Sequence, residues 1–405
     1  MRFRETCLAV MVLAAAGNAA PGAGKPDGPV LGVVAVGDAG ETGGALRGTA
    51  QYASNMYGGL HDAGPFQLLL FLGDNFYPTG LNIPPDDVEG TVKSVLTEPF
   101  HAVLDGLGTA RVHAVPGNHD YYARNALQTS FLFGLIKLAE APMGLSGRGN
   151  QREAAIPQWT YHAGMPAEIR VPLAAGASDS VAFIFFDSAP LLRSDPPAWR
   201  PVLDSLRRLL TASRAGAAVR WRVLCMHHPL ATVGEHGGYG EWDDETKSVA
   251  RLTTCDRDSN ALGWVKNLLD PEDLCTDRYR AYVDSIRLAI RTTGVPIQVV
   301  LSGHDHSLQL LRMPAAGSGP RVQIVSGAGS LASRVRFPEP PGVYTSARLN
   351  PEAKGESVSG FVHLQFDRDR LRVRFFNSAN GDQIDMGGGA KGFVIDTNGD
   401  LTEER

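Results

Sequence analysis

Asp38 stands second in the segment "GDAG", Asp74 and Tyr77 belong to "GDNFY", and Asn118, His119 and Asp120 follow one another in "GNHDYY". Further along, His227 and His228 stand in "MHHP", and His304, Asp305 and His306 in "SGHDHS". Each fragment begins where an apolar run ends. Taken singly, such a fragment is turn chemistry, since Asp, Asn and Gly suit turns. Together they assemble carboxylates, an amide, a phenol and imidazoles, a donor set suited to first-row transition metals rather than to calcium alone. Two cations about 3.5–4 Å apart could clamp a phosphate ester, activate a water and stabilise the leaving oxygen. A shared carboxylate would hold such a pair, and Asp74, midway in the order, is the candidate bridge. Asp38 and Asp74, if buried, are costly unless paired or coordinated. Tyr77 has a plainer alternative, a packed ring with its hydroxyl hydrogen-bonded. His227 and His228 compete for one role.

The elements that must present these groups are short strands: "VLGVVAVG", "FQLLLFLG", "ARVHAVPG", "SVAFIFFD", "RWRVLCMH", "IQVVLSGH" and "RVQIVSGAG". Each is rich in Val, Ile, Leu or Phe and bounded by Gly, Pro or Asp. Between them, "ALRGTAQYASNMYGGL", "VEGTVKSVLTEPFHAVL", "PVLDSLRRLLTASR" and "RYRAYVDSIRLAIRTT" space apolar residues three or four apart, the period of a helix. Alternating strands and helices predict an α/β fold. In open α/β sheets ligands bind at the carboxyl ends of the strands, where all five fragments would then converge. "GFVHLQFDRDRLRVRFFN" predicts a terminal hairpin. Two long polar insertions, near residues 140–165 and 237–280, interrupt the pattern, and loops of that length are usually functional or mobile. Residues 386–405 are Gly-rich and then acidic and read as a solvated tail. Their "DTNGDL" resembles part of a calcium loop but lacks Gly at the sixth position.

With 405 residues, 43% hydrophobic and 20% charged, the chain fits a globular protein of one large or two ordinary domains. Its formal net charge of −5 argues against a general nucleic-acid footprint. Residues 1–20 read as a signal peptide. Arg2 and Arg4 precede the apolar "CLAVMVLAAAG", too short to span a bilayer, and small residues offer cleavage near Ala19 or Ala20. No other stretch predicts a transmembrane helix. The expected location is secreted or periplasmic. Of the four cysteines, Cys7 lies in that leader and Cys225 sits in an apolar run as a core thiol. Cys255 and Cys275 flank an Asp-rich stretch and form the natural disulfide pair in an oxidising compartment, worth roughly 3 kcal/mol in the chain-entropy model.

The order GDxG, GDxxY, GNHD, HxP and GHxH resembles that of the metallophosphoesterases of the calcineurin-like fold. The tyrosine of "GDNFY" narrows the likeness to purple acid phosphatases, and "VAVGDAG", "LGDNFYPTG", "GEHG", "SGHDHSLQ" and "VSGAG" are similar to segments of the small, tartrate-resistant type. The resemblance runs from about residue 30 to 375 and leaves the two insertions uncovered. It implies a four-layer αββα sandwich with a metal site at the strand ends, and a domain over residues 28–385. It also implies roles. Asp38, Tyr77 and His306 would bind a ferric ion. Asn118, His227 and His304 would bind a divalent ion (Fe, Zn or Mn), with Asp74 as bridge. His119 would assist the leaving group from just outside the metals, and His236 would be a second outer histidine near the phosphate. His228 would then be structural or lie behind a ligand, and Asp120 and Asp305 would orient their His neighbours.

The function expected is hydrolysis of small phosphate monoesters, as an acid phosphatase, by a metal-bound hydroxide. A phosphodiesterase with the same site and a catalytically silent metal-binding protein are the alternatives. Nucleic acid is not an expected partner. The physiological substrate and the oligomeric state are not legible. His61, His101, His113, His162 and His363 show no clustering and read as ordinary surface or core histidines.

Overall fold

Strand β1 (Leu31–Val36) shows why the apolar runs are unbroken. Its alternate residues enter different cores, Val33 and Ala35 one and Val34 and Val36 another. A strand of period 2 with no polar face must be covered on both sides. β2 (Leu68–Leu72) divides in the same way, with Leu68, Leu70 and Leu72 in the first core and Leu69 and Phe71 in the second. The computed structural model describes residues 30–81, 87–121, 149–215, 219–234, 236, 239–243, 248–254, 276–314, 319–333, 335, 342–346, 357–387 and 389–404. The leader, Cys255 and Cys275 lie outside the described residues.

β1, β2, β3 (Val112–Val115) and β4 (Thr160–Tyr161) run parallel as half of a first sheet. The chain then enters a second sheet with β5 (Ala167–Pro172), β6 (Ser180–Phe186) and β7 (Val219–Met226). β8 (Tyr239–Asp243) and β9 (Ser248–Thr254) form a separate antiparallel pair within the second insertion. β10 (Val299–Ser302), β11 (Leu308–Arg312), β12 (Val322–Ser326) and β13 (Val343–Thr345) complete the second sheet, whose order is β13-β11-β12-β10-β7-β6-β5. Here β6, β7, β10 and β12 are parallel. The chain returns to the first sheet as β14 (Gly360–Phe366), β15 (Arg370–Asn377), β16 (Gly392–Asp396) and β17 (Leu401–Glu404), all antiparallel additions beyond β1.

The two sheets face each other across one core that includes Leu70, Phe183, Val223, Leu301 and Val362. α1 (Gly44–Tyr57), α2 (Val88–Val92) and α3 (His101–Leu107) lie on the first sheet. α1 buries Leu46, Ala50, Ala53 and Met56, one stripe at helical spacing. A small helix, α4 (Gly149–Ala154), and α5 (Ala189–Leu192) precede the two long helices on the second sheet, α6 (Pro196–Ala215) and α7 (Asp277–Thr293). α7 starts where the Thr276 hydroxyl accepts from the Tyr279 N–H, and stops at Gly294 in the left-handed region. Tyr282, Ile286 and Ile290 of α7 share a core with Leu206 and Leu210 of α6 and with Leu224 and Val300 below them. The layers are therefore helix, sheet, sheet, helix, as expected. No described helix is long and apolar enough to cross a membrane.

Two expectations need correction. The segment 386–405 is not a solvated tail: it carries β16 and β17, and Phe393, Ile395 and Leu401 are buried in the inter-sheet core. Its polar residues are a hairpin turn, in which Asp396 Oδ1 accepts from the N–H groups of Asn398 and Asp400. The turn composition masked the flanking apolar alternation. The insertion near 140–165 is likewise not all loop, because residues 149–154 form α4 and residues 160–161 pair with β3.

Candidate metal centre

Asp38, Asp74 and His304 each stand two residues beyond the end of a strand, β1, β2 and β10, and among the described residues they alone combine a side chain with a positive φ, of 55°, 51° and 73°. Such conformations are strained for residues with a Cβ and tend to gather at functional sites. The three turns aim their side chains across the carboxyl edges of both sheets. Neighbouring glycines make room. A Cβ on Gly73 would lie 2.5 Å from His227 Nδ1, and one on Gly117 would collide with the Asp74 carboxylate.

On one side of Asp74, Tyr77, Asp38 and His306 converge. The Tyr77 hydroxyl lies 2.9 Å from Asp38 Oδ1, 3.0 Å from Asp74 Oδ2 and 2.9 Å from His306 Nε2. His306 Nε2 is 3.4 Å from Asp38 Oδ1. On the other side, His227 Nε2 is 2.9 Å from Asn118 Oδ1 and 3.4 Å from Asp74 Oδ1, and His304 Nδ1 is 3.2 Å from the same amide oxygen. His227 gives its Nδ1–H to the Leu72 carbonyl at 2.8 Å, so Nε2 is the nitrogen turned toward the cluster, and an ion that displaced its proton would find a lone pair there. Asp74 belongs to both halves, one oxygen in each.

The remaining histidines ring this centre. His119, about a quarter exposed, places Nε2 4.0 Å from Asp74 Oδ2. Its Nδ1–H is held by the Pro78 carbonyl at 2.7 Å, and its main-chain N–H donates to Asp74 Oδ1 at 2.8 Å. His236 stacks on His304 with ring centroids 4.3 Å apart. His228 is fully buried behind, its Nδ1 2.8 Å from Ser188 Oγ.

Two buried carboxylates brace the loops. Asp120 accepts from the main-chain N–H groups of Asn75, Phe76 and Gly117 and from the Asn75 side-chain amide. It thereby ties the Asp74 turn to the Asn118 turn. Asp305 accepts from the Thr232 hydroxyl and from the His236 N–H. The expected partners of Asp120 and Asp305 were the histidines adjacent in sequence. The bonds described instead link each carboxylate to a neighbouring loop.

Electrostatically the centre is short of positive charge. Burial penalises the Asp74 carboxylate, yet the charges of His227 and His119 outweigh it and hold the group well below the usual carboxylate range. Burial also disfavours the His227 cation, but Asp74 and then Asp38 raise that ring to about 10. Burial, with Asp38 and Asp74 adjacent, pushes the Tyr77 phenol far up. His228 is driven well below the ordinary range by burial and by the His227 charge. A divalent or trivalent ion would relieve all of these, because it can replace a proton among crowded oxygens and nitrogens. The donor set fits: Asp38, Asp74 and His227 offer ligand atoms within 4.8 Å of one another, as do His227, His228 and His304.

All nine residues picked from the sequence gather at this one edge: Asp38, Asp74, Tyr77, Asn118, His119, His227, His236, His304 and His306. Several supporting groups were missed. Thr232, and Tyr121, which donates to the buried Asp187 carboxyl at the end of β6, carry no sequence signal beyond their nearness to motifs. His113 and His162, read as unrelated, lie 3.0 Å apart and stack with Phe185.

The calcineurin-like phosphoesterase family matches residues 32–308, which span the strands that present every one of these groups. Among solved structures, the fold is similar to GAP50, the anchor in the inner membrane complex of Plasmodium, at 13% identity and a TM-score of 0.53, over 89% of this chain and 90% of that one. It is also similar to PhoD, at 12% identity and a TM-score of 0.50, over 95% of this chain and 72% of that one. At such identities the likeness is one of fold. No curated protein matches the sequence. The family match covers most of the chain and meets a centre suited to two metal ions at the strand ends, so the chain belongs to the calcineurin-like phosphoesterases.

Proposed function

We propose that the protein is a secreted or periplasmic acid phosphatase that hydrolyses phosphate monoesters at a binuclear centre of the purple acid phosphatase type. The observation that carries this reading is Tyr77, whose hydroxyl stands among Asp38, Asp74 and His306 at 2.9–3.0 Å. A phenol in that position suits a ferric ion, for which a phenolate is a hard anionic donor. In this reading Asp38, Tyr77 and His306 hold the ferric ion, Asn118, His227 and His304 hold Fe, Zn or Mn as the divalent ion, and Asp74 joins them.

When bound, the ions supply an acidified water and neutralise charge on the phosphoryl oxygens. The chain supplies the rest. Leu72 fixes the tautomer of His227, and Asp120 fixes the spacing between the Asp74 and Asn118 turns. His119, with Nδ1–H held by Pro78, carries a proton on Nε2 for the leaving oxygen. His236, stacked beside His304, contacts the phosphate. The basic and apolar start of the sequence supports export.

The test is hydrolysis of an aryl phosphate monoester against the matching bis-ester, with metal analysis of the same protein. Turnover of the monoester alone, with two metals including iron, is the expected result. Preferential cleavage of the bis-ester would make the protein a phosphodiesterase. Two tightly held metals without turnover of either would make it a silent metal-binding protein.

A further inference from the structure

We infer that His228 supplies a third imidazole nitrogen to the divalent position formed by Asn118, His227 and His304. The inference rests on the reading that this cluster holds a pair of ions, and it adds a donor which that reading does not use.

His228 follows His227 at the exit of β7 and has no exposed surface. Its ring centroid lies 4.5 Å from that of His304 and 4.8 Å from that of His227. Ring nitrogens of the three histidines lie within 4.8 Å of one another. Nδ1 is engaged by Ser188 Oγ, which also accepts the main-chain N–H of His228 at 3.2 Å. Nε2 is buried and has no hydrogen-bond partner among the described residues.

A buried nitrogen left unpaired is costly. A histidine kept for packing alone has no need of that cost, since a phenyl ring would fill the space. An unpaired nitrogen does not by itself make a site: His363 has two and belongs to no cluster of three metal-donor side chains among the described residues. What distinguishes His228 is that its unpaired nitrogen belongs to a ring packed against His227 and His304, the two imidazoles that flank the Asn118 amide oxygen.

The Ser188 bond has the form that metal-bound histidines use. The serine oxygen has two lone pairs and can accept both Nδ1–H and the main-chain N–H, which leaves the lone pair on Nε2 for a cation. Three imidazoles with one amide and a shared carboxylate form a nitrogen-rich set. Such a set favours Zn²⁺ or Co²⁺ over Mn²⁺ or Mg²⁺ at this position.

The test uses the full-length wild-type protein loaded with zinc. Its crystal structure should show His228 Nε2 at about 2.0–2.1 Å from the ion beside His227. His228→Gln should weaken zinc binding at that position by at least about tenfold in chelator competition, with the ion beside Tyr77 retained. Two bound ions with Nε2 out of bonding range, or a Gln variant that binds zinc as tightly as wild type, would overturn the inference and leave the binuclear reading intact. Wild-type protein that binds no metal pair would overturn both. If His228→Gln does not fold, the wild-type crystal structure decides alone.

Discussion

Tyr77 and Asp38 meet hydroxyl to carboxylate at 2.9 Å, and the same hydroxyl is 3.0 Å from Asp74. A phenol has one proton and cannot donate fully to both. Three oxygens crowded with a single proton between them are an arrangement that a cation resolves.

Tyr77→Phe is therefore informative. The ring and its contact with His119, at 4.6 Å between centroids, survive the change. A tyrosine kept for packing would tolerate it within about 1 kcal/mol. If the phenol is a ligand, the variant loses the visible absorption band of an iron-loaded protein and holds its first metal more weakly. Wild-type protein that binds iron yet shows no visible band at any oxidation state would remove the phenolate from the assignment.

His119→Ala should leave both metals in place and lower turnover by roughly 10²–10⁴-fold. The loss should be smaller for aryl esters, whose leaving groups need little help, than for alkyl esters. The geometry behind this is Nε2 held 4.0 Å from Asp74 Oδ2 while Nδ1 is spent on the Pro78 carbonyl. Equal losses on the two ester types would contradict a leaving-group role.

The strands and the centre they present were legible in the sequence for a common reason. A doubly covered strand is an unbroken apolar run, so Leu68–Leu72 announces both itself and the place where Asp74 must emerge. The tail was misread because Asp396, Asn398 and Asp400 are turn residues, while only three core-facing apolar residues, Phe393, Ile395 and Leu401, mark the strands beside them. The braces were not legible. Asp120 engages Asn75 across 45 positions, and Asp305 engages His236 across 69, so only the folded chain brings those partners together. The pairing of His113 with His162 has the same character, spanning 49 positions.

Asp120→Asn tests the brace itself. Four N–H groups point at this carboxylate, and an amide can accept from only one face while turning its own N–H₂ toward the rest. The expected cost is roughly 2–4 kcal/mol in denaturant unfolding, from donors left unpaired in a buried site. Metal affinity should fall as well, because the Asp74 and Asn118 turns lose their common anchor. Unchanged stability together with unchanged metal content would show that the loops hold their spacing without it.

His363 gives a pH dependence independent of the metals. It lies on β14 opposite Val34 and Arg374, is buried, and has neither ring nitrogen paired among the described residues. Burial, with Arg374 and His61 adding to it, lowers this ring from the ordinary 6.5 to about 3. Between those values the unfolded chain binds a proton that the folded one refuses, so stability rises with pH across the window and is lost as pH falls below 6.5. The slope for one such group is about 1.4 kcal/mol per pH unit. His363→Leu removes the titration and the two unpaired nitrogens at once. The variant should gain roughly 2 kcal/mol over wild type on going from pH 7 to pH 5, since the penalty accrues over about 1.5 pH units. Denaturant unfolding at the two values measures it. Parallel losses in wild type and variant would mean that His363 keeps its proton in the fold across this range.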